Sequence, residues 1–304
     1  MTESHGPPAI ARSSLLLRLV GKLPQTWIKT IGRAQWKHPL LRTLYLRFAQ
    51  RFRNQDLEIQ KGFGKGLWFN GGRSNAGYVL GTTEPHVQHA LGTLLQAGMT
   101  MYDVGANVGF LTIIAGRLVG PTGHVIGFEP FPDSARQIEH NARLNGFTHV
   151  TVCQKALADA DGTAQFLVSD EPNWSRLVSD DPILVGQVGE IPVTVCRLDT
   201  VVREADLPLP DLIKIDVEGR ELDVLAGASD TLRRSRPFLV IELHGTNALV
   251  TEALTNLGYY AAVLDGGMSI VEAPWYAHII AAPVERGDWV RTVDSLHASR
   301  STPS

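Results

Sequence analysis

From Met99 onward the chain alternates short apolar runs with helical stretches, and this alternation constrains the fold more than any other feature. The runs are Met99–Val104, His124–Glu129, Val150–Gln154, Asp211–Val217 and Phe238–Leu243. Helical spacing follows them to Val119, to Asn145, through Leu232 and over Asn247–Leu257. Strands that alternate with helices build βαβ units, whose parallel strands are buried on both faces and therefore read as continuous apolar runs. Tyr259–Leu264, Met268–Val271 and His278–Ala282 follow too closely for crossover helices and predict an antiparallel edge.

Composition sets the rest of the frame. The 304 residues are 44% hydrophobic and 19% charged, ordinary values for a globular protein of one large or two smaller domains. No apolar run reaches the roughly 20 residues of a spanning helix, and Leu15–Val20 lacks the length and cleavage site of a secretory signal. Cys153 and Cys196 are too few for a disulfide framework and read as small buried hydrophobes of a reducing compartment, so a cytoplasmic protein is expected.

The net charge of -3 conceals a division: residues 1–60 hold ten Lys and Arg against three Asp and Glu, and the remainder 18 against 28. Leu40, Leu44, Phe48 and Phe52 recur every fourth residue among Arg42, Arg47, Arg51 and Arg53, which predicts a basic amphipathic helix. The expected organisation is a basic helical extension at 1–60, a connecting segment and pre-domain helix at 61–98, a catalytic domain at 99–285 and a polar tail at 286–304. The segment 10–53 is suited either to packing on protein, including a second subunit, or to resting on an anionic membrane surface at the inner face. The acidic body argues against nucleic acid as a partner.

The sharpest motif is Met101-Tyr-Asp103-Val-Gly105-Ala-Asn107-Val-Gly109-Phe, at the junction of a strand and a helix. Gly105 permits a tight turn, and Gly109 lets the helix approach the sheet. Its glycines are four apart, unlike the dinucleotide G-x-G-x-x-G pattern, and Asp103 precedes them. A carboxylate there repels pyrophosphate but suits a cationic ammonium or sulfonium group, and S-adenosylmethionine carries both. Glu129 ends the next strand, where a carboxylate can accept hydrogen bonds from both ribose hydroxyls.

With these motifs in place, the chain resembles the FkbM family of S-adenosylmethionine-dependent methyltransferases from about Tyr78 to His244. The resemblance rests on DVGANVG at 103–109, FEP at 128–130, IKIDVEG at 213–219, Glu221 and IELH at 241–244. It implies a Rossmann-like class I methyltransferase fold, an α/β architecture whose seven-stranded, mostly parallel sheet has an antiparallel C-terminal edge. It also implies O-methyl transfer to a hydroxyl of a sugar, glycolipid or secondary metabolite. On the matching positions, Asp103, Gly105, Asn107 and Gly109 hold the methionine part and Glu129 the ribose, while 154–157, with Ala156, borders the adenine. Lys155 and Ala156 stand where many methyltransferases place an Asp, so base recognition falls to backbone groups or Gln154. Glu84 either faces the cofactor pocket or supplies negative charge to a helix N-terminus.

Strand alternation puts Asp216 and Glu218 on one side, and Glu242 and His244 on one side, at the carboxyl edge where α/β sheets bind ligands. His244 is the preferred general base, because its ordinary pKa is near neutrality. Asp216 is the runner-up. Glu218 is either part of the reaction centre or, like Glu221, a first-turn helix charge. A divalent metal such as magnesium, held by Asp216, Glu242 and His244, is also compatible with the chemistry. Lys214, inside a strand, requires a nearby acid such as Asp216. Segment 170–189, with Trp174 and Arg176, is a candidate lid. The competing readings are a nicotinamide-dependent oxidoreductase or epimerase, and a non-catalytic, membrane-associated cofactor-binding scaffold.

Overall fold

The computed structural model describes residues 52–72, 77–169, 176–177, 187–264 and 268–298. The expected basic helix up to residue 51, Trp174, the side chain of Arg176 and the tail from 299 lie outside the described residues. The chain divides into two compact units between Thr83 and Glu84, a boundary inside the segment expected to be a connector.

In the first unit, β1 (Leu57–Glu58) pairs antiparallel with β2 (Trp68–Phe69), and Phe69 meets Tyr78 of α1 (Gly77–Leu80) edge to face at 5.8 Å.

The second unit is built on a seven-stranded sheet of order β12-β13-β11-β10-β3-β4-β5. Its central strands are β3 (Thr100–Val104), β4 (His124–Phe128), β10 (Leu212–Ile215) and β11 (Phe238–Glu242), with β5 (Val150–Cys153) at one edge. These five run parallel, and β13 (His278–Pro283) is antiparallel to both β11 and β12 (Tyr259–Val263), giving the expected antiparallel edge. Helices fill the crossovers: α2 (Pro85–Leu94) precedes β3, α3 (Phe110–Val119) joins β3 to β4, and α4 (Pro132–Leu144) joins β4 to β5. Every residue of β3 is buried, as a central parallel strand between helical layers requires. The core runs from Tyr102, Phe128 and Ile213 through Leu239 and Ile241 to Ile279.

A smaller sheet of order β6-β9-β7-β8 stands beside the main one, from β6 (Ala156–Leu157), β7 (Gly162–Ser169), β8 (Arg176–Leu177) and β9 (Gln187–Cys196). Residues 170–189 therefore contain a short strand and the start of β9. Helix α5 (Leu198–Glu204) leads back to β10.

Three expectations are corrected. The helix expected through Leu232 is two, α6 (Glu221–Gly227) and α7 (Ser229–Ser235), broken where a Cβ on Gly227 would lie 1.9 Å from the Ala158 carbonyl oxygen. Met268–Val271 is not a strand; Ile270 alone inserts into the core, while Met268 and Val271 are exposed. The polar tail contains α9 (Gly287–Ala298), which follows α8 (Asn247–Asn256) and the two edge strands. Trp289 of α9 stacks on Phe238 at 3.7 Å, and Val293 and Leu296 are buried. Their four- and three-residue spacing is helical, and the charges between them disguise it. Among the described residues, no helix is long and apolar enough to cross a membrane.

Candidate active site

A cleft opens at the carboxyl ends of β3, β4 and β10, lined by Gly105, Asn107, Glu129, Ala156, Asp216 and Glu218 among others. The loop after β3 owes its path to left-handed backbone at Gly105 (φ 74°), Asn107 (φ 50°) and Gly109 (φ 82°). A Cβ on Gly105 would sit 1.8 Å from the Asp216 carbonyl oxygen, so only glycine lets the two strand ends close. Gly109 does not line the cleft; it faces Ile138 of α4 and lets α3 pack there.

Glu129 is buried and anchored from both sides. Its Oε2 accepts the Asn107 N–H at 2.8 Å, and its Oε1 accepts the Phe131 N–H at 2.9 Å. Burial nevertheless pushes its carboxyl up to about 7, against the pull of these backbone donors and Lys214. Beyond Glu129 the wall is apolar: Phe131 stacks on Phe166 at 6.3 Å, flanked by Ala156 and Leu157. Gln154 is exposed and does not line the cleft, whereas the charged Lys155 borders it beside this apolar wall.

Asp103 is the main correction to the expected ligand contacts. It is fully buried, does not line the cleft, and accepts a hydrogen bond from Thr112 Oγ1 at 2.6 Å. Parallel register puts Lys214 opposite it, with Nζ 3.4 Å from Asp103 Oδ1 and 3.3 Å from Asp216 Oδ2. Lys214 Nζ also donates to the Gly105 carbonyl oxygen at 3.1 Å. Burial opposes the ammonium, but Asp216, Asp103, Glu84 and Glu242 outweigh it and hold the Lys214 pKa above the ordinary lysine value. The acid expected to meet a ligand cation thus meets an internal one, and the lysine ties the glycine loop to the end of β10.

Asp216, Glu218, Glu242 and His244 come together where β10 and β11 end; Asp216, Glu218 and His244 stand in the loops beyond the strands, so the loops and not strand alternation group them. His244 Nε2 lies 3.5 Å from Glu218 Oε2 and 3.9 Å from both Asp216 Oδ1 and Glu242 Oε1. Its other nitrogen, Nδ1, is 2.9 Å from Oε1 of Glu221, a completely buried residue. Glu221, one of the residues that carry the family resemblance and read locally as a first-turn helix charge, finds its partner 23 residues away, a contact that the local pattern does not show. Burial lowers the His244 pKa, but Glu221, Glu218 and Asp216 overcome it and raise it to about 9. Burial works against the Asp216 carboxylate as well, yet Lys214, His244 and His278 hold it below its usual value. Glu218 is driven up to about 7 by burial, with Asp216, Glu242 and Glu221 adding to it against His244.

Glu218 is itself left-handed at φ 53°, a costly conformation for a non-glycine residue and one that concentrates at functional sites. Glu84, at the N-terminus of α2, shares that conformation at φ 46° and does not line the cleft. Burial pushes Glu84 up to about 7, with Lys214, Asp216, His278 and Glu242 the charges it feels, so it belongs electrostatically to the same cluster. One ligand atom each from Asp216, Glu218 and His244 lie within 4.8 Å of one another, so a cation triad would use Glu218 in place of the expected Glu242.

The described residues fit the group that the glycine loop implies. The Gly105 and Asn107 backbone borders the cleft, Glu129 presents a fixed carboxylate, the Phe131–Phe166 wall suits a planar base, and Asp216 and Glu218 line the far end.

The chain is 28% identical over 144 residues to the hexuronic acid methyltransferase AglP of Haloferax volcanii, a match covering 47% of this chain and 55% of that protein, about half its length. It is 27% identical to the 31-O-demethyl-FK506 methyltransferase FkbM of Streptomyces tacrolimicus, over 55% of this chain and 73% of that one. A solved FkbM methyltransferase from Methylobacillus flagellatus aligns at 18% identity and a TM-score of 0.44, covering 67% of this chain and 52% of that structure. The family model described as the methyltransferase FkbM domain matches residues 103–261, just over half of the chain. This chain therefore belongs to the FkbM methyltransferase family.

Proposed function

We propose that this chain is an S-adenosylmethionine-dependent O-methyltransferase. The observation that carries the reading is a single cleft that runs from the Gly105–Glu129 end to the Asp216–Glu218 end beside His244. When bound, the cofactor supplies a methyl carbon activated by a cationic sulfur. Glu129 would accept hydrogen bonds from the ribose hydroxyls, the 105–107 loop would hold the methionine part, and Phe131, Ala156, Leu157 and Phe166 would enclose the base. Asp216, Glu218 and Glu242 oppose the sulfonium charge. Asp103 supports the loop through Lys214 and Thr112 rather than by touching the ligand.

His244 Nε2 removes the acceptor's proton as the oxygen attacks in line. In the ligand-free chain at neutral pH this nitrogen is protonated, because the surrounding carboxylates hold its pKa at about 9. Neutralising those carboxylates would lower this pKa and leave Nε2 free to accept a proton. The acceptor is a hydroxylated sugar, glycolipid or secondary metabolite, a reading supported by relatives named for a hexuronic acid and for 31-O-demethyl-FK506. A second reading adds a divalent cation on Asp216, Glu218 and His244, favoured by the closeness of their ligand atoms; turnover abolished by chelation and restored by magnesium would select it.

Calorimetry with S-adenosylmethionine and with NAD tests the cofactor. Binding of the first alone is expected, and binding of NAD alone would overturn the assignment. Methyl-labelled cofactor incubated with a hydroxylated cell extract should yield a labelled ether. Binding with no transfer to any fraction would favour the scaffold reading. We also assign the basic segment 10–53 a location role in a cytoplasmic protein, on protein or on an anionic membrane; liposome co-sedimentation with and without residues 1–56 separates these.

A further inference from the structure

Glu221 is a charged residue with no exposed surface, at the first position of α6. Such a carboxylate is strongly penalised unless donors surround it. Three polar groups do, one from the loop after β10 and two from the loop after β11. The Gly219 N–H donates to Oε1 at 2.9 Å, Thr246 Oγ1 donates to Oε2 at 2.8 Å, and His244 Nδ1 lies 2.9 Å from Oε1. The backbone N–H of Gly219 can only donate, which fixes Oε1 as an acceptor. His244 Nδ1 must then carry the hydrogen that faces it. Nε2 is left facing Asp216, Glu218 and Glu242; Asp216 and Glu218 line the cleft, and His244 stands behind them rather than in its lining.

We propose that Glu221 is the positioning residue of His244, locking the ring in the Nδ1–H form so that Nε2 is the nitrogen that meets the acceptor hydroxyl. The proposal rests on the methyltransferase reading with His244 as base. One carboxylate also joins the loop that carries Glu218, through Gly219, to the loop after β11, through Thr246. It therefore sets the distance between the two halves of the reaction centre as well as the ring's tautomer. A free neutral imidazole prefers its proton on Nε2, the wrong nitrogen for this task, so without Glu221 the base would present a donor to the acceptor.

The test compares Glu221→Ala with Glu221→Gln. The amide oxygen of Gln can still accept from Gly219 and His244, so Glu221→Gln preserves the arrangement without the charge. Nitrogen-15 NMR of the histidine rings, recorded above about pH 9 where His244 is neutral and with its signals identified by their loss in His244→Ala, reads the tautomer with no acceptor present. The neutral ring should carry its proton on Nδ1 in the native protein and in Glu221→Gln, and on Nε2 in Glu221→Ala. Rates with methyl-labelled cofactor and the label-accepting extract fraction should show kcat reduced about 100-fold or more in Glu221→Ala, with KM unchanged. Glu221→Gln should recover most of that loss.

An Nε2–H ring in the native protein, or an unchanged ring in Glu221→Ala, overturns the proposal, as does equal loss in both variants through KM. If Glu221→Ala does not fold, the native and Glu221→Gln spectra still decide. Unchanged turnover in His244→Ala is a different result: it removes His244 as the base and leaves the tautomer finding standing.

Discussion

The two ends of the cleft are built by different means. At the cofactor end, backbone does most of the work: left-handed Gly105 and Asn107 shape the loop, and main-chain N–H groups hold Glu129. At the reaction end, side chains hold side chains: His244 lies between Glu221 on one nitrogen and Asp216, Glu218 and Glu242 on the other. Backbone can define a shape that one ligand fits, but only titratable side chains can take up a proton during turnover. Lys214 is the bridge, touching Asp103, the Gly105 carbonyl and Asp216.

That bridge gives the largest expected effect. Lys214→Met leaves Asp103 and Asp216 without their shared cation, and breaking a buried pair in this way costs about 3–5 kcal/mol. Urea unfolding of the variant should show a loss of that order, and an undiminished midpoint would mean that the two ends do not share this support. Gly105→Ala ranks next. It strains one end alone, forcing a Cβ onto the Asp216 carbonyl in a left-handed backbone, for a loss of about 1–3 kcal/mol with weakened cofactor binding.

Acidity separates the ends without mutation. Protonated Glu129 loses an acceptor, so affinity for S-adenosylmethionine should fall as pH drops below about 7 and level off above it. The value of kcat/KM should continue to rise towards about 9, where His244 loses its proton in the free protein. Coincident limbs would contradict separate control of binding and chemistry. The ligand-free fold carries the same signature. Glu84, Glu129 and Glu218 are raised from 4.5 to about 7, so their stabilising protons are fully present below 4.5 and lost as pH rises through about 7. A urea-midpoint series across that range should decline from this source. The smallest effect belongs to the base wall. Phe131→Leu removes a ring stacked on Phe166 and should weaken cofactor binding about two- to tenfold, read by calorimetry.

The same division explains what could be read from the residues alone. Local rules fix the central strands, the glycine turn and the helices after β3, β4 and β11, each within a few residues of its expected place, whereas the helix after β10 is broken in two. Glu129 and the Asp216–His244 grouping follow from their place at strand ends, where the loops beyond β10 and β11 converge. Glu221 does not, because its meaning is a contact with a histidine 23 positions away. Asp103 misleads for the same reason: its burial depends on Lys214 standing opposite in a neighbouring strand, a register that no local pattern reveals. Met268–Val271 shows the converse fault, since a short apolar run fits a strand as readily as a loop that buries one residue. The β6–β9–β7–β8 sheet escaped notice because its strands follow one another without the helices that mark the main sheet.

Measuring the cofactor dissociation constant and the single-turnover transfer rate on Glu129→Ala and His244→Ala tests the central claim, that one cleft binds at one end and reacts at the other. Glu129→Ala should weaken binding about tenfold or more and still transfer methyl at saturating cofactor. His244→Ala should bind within about twofold of the native protein and lose roughly 100- to 10,000-fold in transfer. Native transfer rates in His244→Ala, or an unaltered dissociation constant in Glu129→Ala, would contradict it.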